Sequence, residues 1–221
     1  MKNNLRYERK FIINNLTIPE LENILRSSNF NFKKNFAKRK VNSIYFDDQD
    51  TSSILENLDG NNFKTKFRIR WYGEKKIISN PILELKIKES YINYKKLFKI
   101  KLLKKTNFSK KNIDFIFNIL KKKHSFLKNK FAISSTHYDR SYFVSSNKNI
   151  RATIDSNINY INIQNFSSSH LNKFSKSLIL EIKYSNQDDE MVRSNLENIS
   201  FRISKNSKYV NSLIDHPHII I

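Results

Sequence analysis

Alternation of charged and large apolar residues recurs along the whole chain, and it is most pronounced in KFRIRWYG, residues 66–73. Lys66, Arg68 and Arg70 alternate there with Phe67, Ile69 and Trp71. Successive side chains of an extended strand point to opposite faces, so the cations would share one face and the apolar groups the other. Surface strands usually mix charge signs, because like charges on neighbouring positions repel. A strand face made only of cations therefore poses the question of whether an anion lies against it, which the rest of the chain has to answer.

The same period of two recurs elsewhere. Arg6, Glu8 and Lys10 alternate with Tyr7, Arg9 and Phe11, and Ser43, Tyr45 and Asp47 with Ile44 and Phe46. Glu84, Lys86 and Lys88 oppose Leu83, Leu85 and Ile87, while Lys95 and Lys99 oppose Phe98 and Ile100. YDRSYF with Arg140, IRATID with Arg151, Thr153 and Asp155, and LILEIKY with Glu181 and Lys183 complete the set. Each reads as a strand with one apolar and one charged face. Helical spacing separates them. TIPELENILRS carries Thr17 and Glu20 at capping-box spacing with Leu21, Ile24 and Leu25 on one face. DQDTSSILENLDG reads as a short helix closed by Asp59-Gly60. Ile113, Ile116, Phe117 and Leu120 recur at helical spacing behind Ser109. Helices are also expected in DDEMVRSNLENI and KNSKYVNSLI, and a loop from Asn162 to Lys176.

Many strands, few helices and no βαβ rhythm predict an α+β fold with a largely antiparallel sheet, read as a single domain over residues 1–221. If that sheet curls into a barrel with its apolar faces outward under helices, the charged faces line the interior. Cations outnumber carboxylates on those faces, and a desolvated ion costs several kcal/mol, so the interior should be a wet tunnel holding a polyanion. The net charge of +21 points the same way. Part of it reflects a Lys- and Asn-rich composition that AT-rich coding sequence produces unaided, so where the cations fall is the diagnostic feature. The absence of cysteine excludes disulfides, thiolate metal sites and cysteine nucleophiles. With no signal-like apolar run near the N-terminus and no stretch of membrane-spanning length, a cytoplasmic protein is expected.

RYERKF, SIYFDD, KFRIRWYG, LELKIKE, YDRSYF with IRATID, LILEIKY and SKY, in this order, resemble the catalytic domain of the vacuolar transporter chaperone (VTC) polyphosphate polymerases, within the triphosphate tunnel metalloenzymes of the CYTH-like superfamily. The resemblance runs from about Arg6 to Leu213. It implies an eight-stranded antiparallel β tunnel wrapped by helices, threaded by ATP or a polyphosphate chain. It places Lys10, Arg68, Arg70, Lys86, Arg140, Arg151 and Lys208 at phosphate-binding positions, and Glu181 at the holder of Mn²⁺ or Mg²⁺. Tyr138, Lys183 and Ser207 are expected to contact the nucleotide. YKKLFK leaves a choice between Lys95 and Lys96, and Lys95 is preferred because it lies opposite Phe98 in parity.

The chain departs from the thiamine-triphosphatase and cyclase relatives. Arg6 stands where they open with a glutamate, and Lys183 where they often carry a second carboxylate, which favours one metal ion over two. The phosphate-sensing domain and membrane helices of eukaryotic polymerase subunits have no counterpart, so a stand-alone bacterial form is expected, with a separate membrane partner left open. Glu8 has two readings, a second metal ligand or an ion pair with Lys10 or Arg70. Glu84 is expected to orient Lys86, and Tyr138 is either core or a nucleobase stack. The lysine runs at 101–105 and 121–123 read as solvated faces, and His216 and His218 as no metal site. The functions left standing are polyphosphate synthesis from ATP, triphosphate hydrolysis, and a binding module without turnover. Nucleic-acid binding fits less well, because the alternation confines cations to strand faces and no recognition helix is evident.

Overall fold

Amphipathic strands become a sheet by pairing backbone groups and burying one face. The computed structural model describes residues 6–58, 63–89, 92–100, 105–163, 172–197 and 201–213. Its long strands are β1 (Arg6–Ile13), β2 (Lys33–Asp47), β3 (Phe63–Tyr72), β5 (Ile82–Glu89), β6 (Ile92–Lys99), β8 (Phe131–Val144), β9 (Arg151–Asn162) and β11 (Leu178–Ser185). The short strand β10 (Asn172–Ser175) pairs with β9, and β4 (Ile77–Ile78) pairs separately with β7 (Thr106–Asn107). Helices are α1 (Ile18–Ser27), α2 (Ser52–Leu58), α3 (Lys110–Lys123), α4 (Asp189–Glu197) and α5 (Lys208–Asn211).

The class is α+β, with one nine-stranded sheet in the order β1-β11-β9-β8-β2-β3-β5-β6 and β10 alongside β9. The expected closure of eight strands into a tunnel is not what these pairings give: among the described residues the order is open, with β1 and β6 at its ends. Each end has a local reason not to pair further. The outer edge of β1 is taken by the segment at Ile203, where Phe11 bridges Ile203 and the Ser204 N–H donates to the Lys10 carbonyl at 2.8 Å. β6 carries Lys95, Lys96 and Lys99, and lysines discourage edge pairing.

The chain divides into two compact units, with dividing points inside β2, β8 and β9. The first holds residues 1–39, 138–158 and 175–206. In it Phe11, Ile13, Ala152, Ile154, Leu180 and Ile182 give one strand face to a core closed by Leu21 and Leu25 of α1 and Val192 and Leu196 of α4. α1 starts as its spacing predicts, the Thr17 N–H donating to Glu20 Oε2 at 2.7 Å. The second unit holds residues 40–137, 159–174 and 207–221. There Phe67, Ile69 and Trp71 of β3 and Leu83, Leu85 and Ile87 of β5 pack under Ile113, Ile116, Phe117 and Leu120 of α3. The predicted cap of α3 is present, with Ser109 Oγ accepting from the Asn112 N–H at 3.4 Å. In each unit the apolar strand face lies against helices, and the charged residues take the other face.

Two expectations shift. β2 starts ten residues before Ser43, because its first half, Lys33–Lys40, is exposed throughout and so carries no alternation to read. β10 lies inside the segment expected to be a loop, its pairing resting on backbone bonds rather than on an apolar face. The Asp59-Gly60 stop, most of the lysine run at 101–105, and His216 with His218 lie outside the described residues. Among the described residues no helix is long and apolar enough to cross a membrane.

The buried side chains of α1 carry its attachment to the sheet. Leu25 is wholly buried, so Leu25→Ala should cost about 2–5 kcal/mol in urea-unfolding free energy. Phe115→Ala on the exposed side of α3, where Phe115 is 62% exposed, should stay within about 0.5 kcal/mol of wild type.

Candidate functional site

The charged face of the second unit is set by strand register. β3 and β5 pair Lys66 with Lys86 and Arg68 with Glu84, and β5 and β6 pair Lys86 with Lys95. Directly opposed residues share a face, so Lys66, Lys86 and Lys95 form a row across three neighbouring strands. Lys64 and Lys88 stand opposite each other on the same face. Lys96 pairs with Leu85, a core residue, and therefore lies on the helix side of the sheet. Lys66 Nζ donates to Ser207 Oγ at 3.0 Å, and Ser207 also caps α5, whose first residue is Lys208.

Glu84 organises the arginines of this face. Arg68 Nε and Nη2 reach Glu84 Oε2 at 2.6 and 2.5 Å, and Arg70 Nη1 reaches Oε1 at 3.3 Å. Register sets Glu84, expected to orient Lys86, opposite Arg68, and its carboxylate reaches both Arg68 and Arg70. Glu84 is 6% exposed, and burial alone would push its carboxyl up, but Arg68, Arg70 and Lys95 outweigh burial and hold it below the ordinary value. Arg70 Nε is buried and makes no hydrogen bond, and the same is true of Ser43 Oγ, whose residue pairs with Arg70 across β2 and β3. Buried donors without partners are rare.

Tyr45, within SIYFDD, is a member of this face to which the sequence assigns no site role. It pairs with Arg68, and its ring stacks on Tyr209 at 5.1 Å. Burial would raise its phenol, yet the charges of Arg68, Arg70 and Lys208 lower it. The Tyr209 hydroxyl in turn donates to wholly buried Asp47, which also accepts from Ser53 Oγ at 2.8 Å and Lys130 Nζ at 3.3 Å.

The charged face of the first unit mixes signs. β1 and β11 pair Glu8 with Lys183 and Lys10 with Glu181, and β11 and β9 pair Lys183 with Arg151 and Glu181 with Thr153. Glu8 forms ion pairs with Lys10 at 2.8 Å and Lys183 at 3.4 Å. Lys10 also donates to the Asn206 carbonyl at 2.9 Å. Glu181 is bonded to Lys183; burial works against its charge, but Lys183, Arg140 and Lys10 hold its carboxyl well below the usual range. Arg140 presents Nε and Nη2 to Asp155 at 2.6 and 2.7 Å, a bidentate pair with a wholly buried carboxylate, and its guanidinium lies 5.3 Å from the Tyr138 ring centre. Tyr138 itself is buried at 5% exposure. Asp155 was readable as a face residue from its parity, but its tie to Arg140 was not, because the two are fifteen positions apart on different strands.

A divalent ion fits the chemistry of this face in part. Glu8 and Glu181 both reach the single Lys183 ammonium, so two carboxylates already converge on one cation. Among the described residues no cluster of three or more His, Cys, Asp or Glu is gathered to hold a metal. Further ligands would have to be phosphate oxygens or water, which is usual for Mg²⁺.

The carboxylates make stability depend on acid. The folded carboxyl of Glu84 lies below its ordinary value of 4.5, so its contribution is complete above that pH and fades as the pH falls through the lowered folded value. Glu84→Gln should lose on the order of 3 kcal/mol near neutrality, since it leaves two half-buried arginines without their counter-charge. Urea melts of wild type and variant should converge as the pH is taken below 4.5.

Known proteins sharing this architecture are remote in sequence. No curated protein matches the chain. An adenylate cyclase candidate from Vibrio parahaemolyticus shares the fold with a TM-score of 0.56 and 11% identity, covering 96% of this chain and 99% of its own. A Pyrococcus horikoshii OT3 protein gives a TM-score of 0.55 and 13% identity over 96% and 99% of the two chains. A Hippeastrum adenylyl cyclase candidate, described as having dominant triphosphatase activity, gives 0.52 and 11% over 96% and 97%. The family model of the VTC domain matches residues 5–214. That span takes in both charged faces, and the chain belongs to the VTC domain family.

Proposed function

We propose that the protein is a metal-dependent phosphotransferase of the cytoplasm that passes the γ-phosphate of ATP to the end of a polyphosphate chain. The observation carrying this reading is the Lys66-Lys86-Lys95 row beside the Glu84-clamped Arg68 and Arg70. Phosphoryl transfer asks a protein mainly to position the phosphates and to neutralise charge that spreads over their oxygens. Lysines directly opposite one another repel unless an anion lies among them, and a string of phosphates meets that need. Arg68 and Arg70, aimed by Glu84, hold the triphosphate. Lys208 and Ser207 add donors from the start of α5.

On the other charged face, Lys10, Arg151 and the edge of Arg140 turned away from Asp155 bind phosphate oxygens, with Tyr138 beneath Arg140. Glu181, with Glu8, would hold Mn²⁺ or Mg²⁺, which when bound there supplies further neutralisation of phosphate charge. Chemically, an oxygen of the chain end forms a bond to the γ-phosphorus, the bond from that phosphorus to the bridging oxygen breaks, and ADP leaves. A second reading, hydrolysis with water as the attacking oxygen, is favoured by the Hippeastrum neighbour described as a triphosphatase.

Purified protein incubated with ATP and Mn²⁺ should yield long phosphate chains on gels, and Arg70→Ala and Glu181→Ala should each reduce that yield by about 100-fold or more, the scale of losing a group that stabilises transition-state charge. Free phosphate without chains would establish the hydrolase instead. Bound ATP with neither product would leave a binding module.

A further inference from the structure

One ammonium serves two carboxylates on the β1-β11-β9 face. Lys183 Nζ lies 3.4 Å from Glu8 Oε2 and is bonded to Glu181 Oε1. Register builds this arrangement, since Glu8 stands opposite Lys183 and Glu181 lies two residues before it on the same strand face. The second oxygen of Glu8 is held by Lys10 at 2.8 Å, which fixes the carboxylate in place. The Lys183 side chain is 44% exposed and that of Glu181 9%, so the carboxylate is the enclosed member of the pair and the lysine the one able to leave.

We infer that Lys183 is a tethered cation that occupies the Glu8–Glu181 pair until phosphate arrives, so that the divalent ion loads with the triphosphate and not ahead of it. This rests on the proposed use of those two carboxylates as metal holders. An ammonium and a divalent ion cannot share the same two oxygens, because their repulsion at such separations in a half-buried site is several kcal/mol by order of magnitude. A metal ion arriving alone must therefore expel the lysine and gains only two protein ligands for doing so. Phosphate changes both sides of that exchange. Its oxygens accept hydrogen bonds from an ammonium on a flexible four-carbon stem, and they are hard ligands for the metal. The coupling is reciprocal: whatever factor triphosphate adds to metal affinity, metal adds to triphosphate affinity. A carboxylate at position 183 would do the reverse, collecting metal with no phosphate present.

The test measures Mn²⁺ binding by electron paramagnetic resonance on the full chain, with and without inorganic phosphate as the probe anion, for wild type, Lys183→Met and Lys183→Gln. Circular dichroism melts establish that each variant folds, and the two replacements guard against loss of either one. Without phosphate, the lysine variants should bind Mn²⁺ about tenfold more tightly than wild type, within the range usual for coupled sites. Adding Glu181→Gln should abolish that gain, and phosphate should raise the affinity of wild type by a larger factor than that of Lys183→Met, where only its ligation of the metal remains. Equal or weaker Mn²⁺ binding in both lysine variants overturns the inference, as does a wild type indifferent to phosphate. The readout is metal binding, so a chain that passes this test yet makes no polyphosphate overturns only the polymerase reading. One that makes polyphosphate but shows no gain in the variants overturns only the role given to Lys183.

Discussion

The arrangement of both charged faces depends on a few buried carboxylates that hold guanidinium groups in place. Arg68 and Arg70 project from one face of β3 two residues apart and would repel if left alone. Glu84 divides its oxygens between them, Oε2 to Arg68 and Oε1 to Arg70. Asp155 does the same for Arg140 in the first unit. A buried charge that loses its partner costs about 3–5 kcal/mol, so these contacts offset the burial of the arginines and keep them aimed. An anion meeting donors already fixed in direction causes little reorganisation, the condition under which electrostatic stabilisation of a transition state is most effective.

Much of this was legible in the sequence because strand parity has a period of two and needs no knowledge of neighbours. The charged faces of β3, β5 and β11, the preference for Lys95 over Lys96, and the apolar side of α3 all come from spacing alone. The partner of each charge was not legible, because it is decided by register between strands distant in sequence. Glu84 reads as a companion of Lys86 two residues on, but only the pairing of β3 with β5 sets it opposite Arg68 as well. Glu8 did pair with Lys10, an interaction within one strand that spacing can suggest. The first half of β2 escaped notice for a different reason: exposed on both sides, it pairs through its backbone and leaves no pattern in its side chains.

Position 208 shows how a weak element acquires a fixed place. A helix of four residues has no stability of its own. α5 is held by Tyr209, whose ring stacks on Tyr45 and whose hydroxyl bonds Asp47. Asp47 is in turn tied to Ser53 at the start of α2 and to Lys130. SIYFDD therefore has two tasks: Tyr45 joins the cationic face, and Asp47 anchors the segment that brings Ser207 and Lys208.

The two kinds of cation divide the work that the proposed reaction requires. Arginines locked by carboxylates present donors in one direction, which suits a phosphate that must stay in line for transfer. Lysines are point charges on flexible stems, and Lys66, Lys86 and Lys95 stand side by side across three neighbouring strands. A phosphate chain can shift by one unit along such a row with little change in energy, because each step exchanges one ammonium contact for another of the same kind. A site made only of clamped arginines would hold every phosphate too specifically to let a product advance, and one made only of lysines would not fix the reacting phosphate. In the proposed reaction Glu84, by committing Arg68 and Arg70, would fix the place where a bond is made, and the lysine row would be the path along which the chain moves.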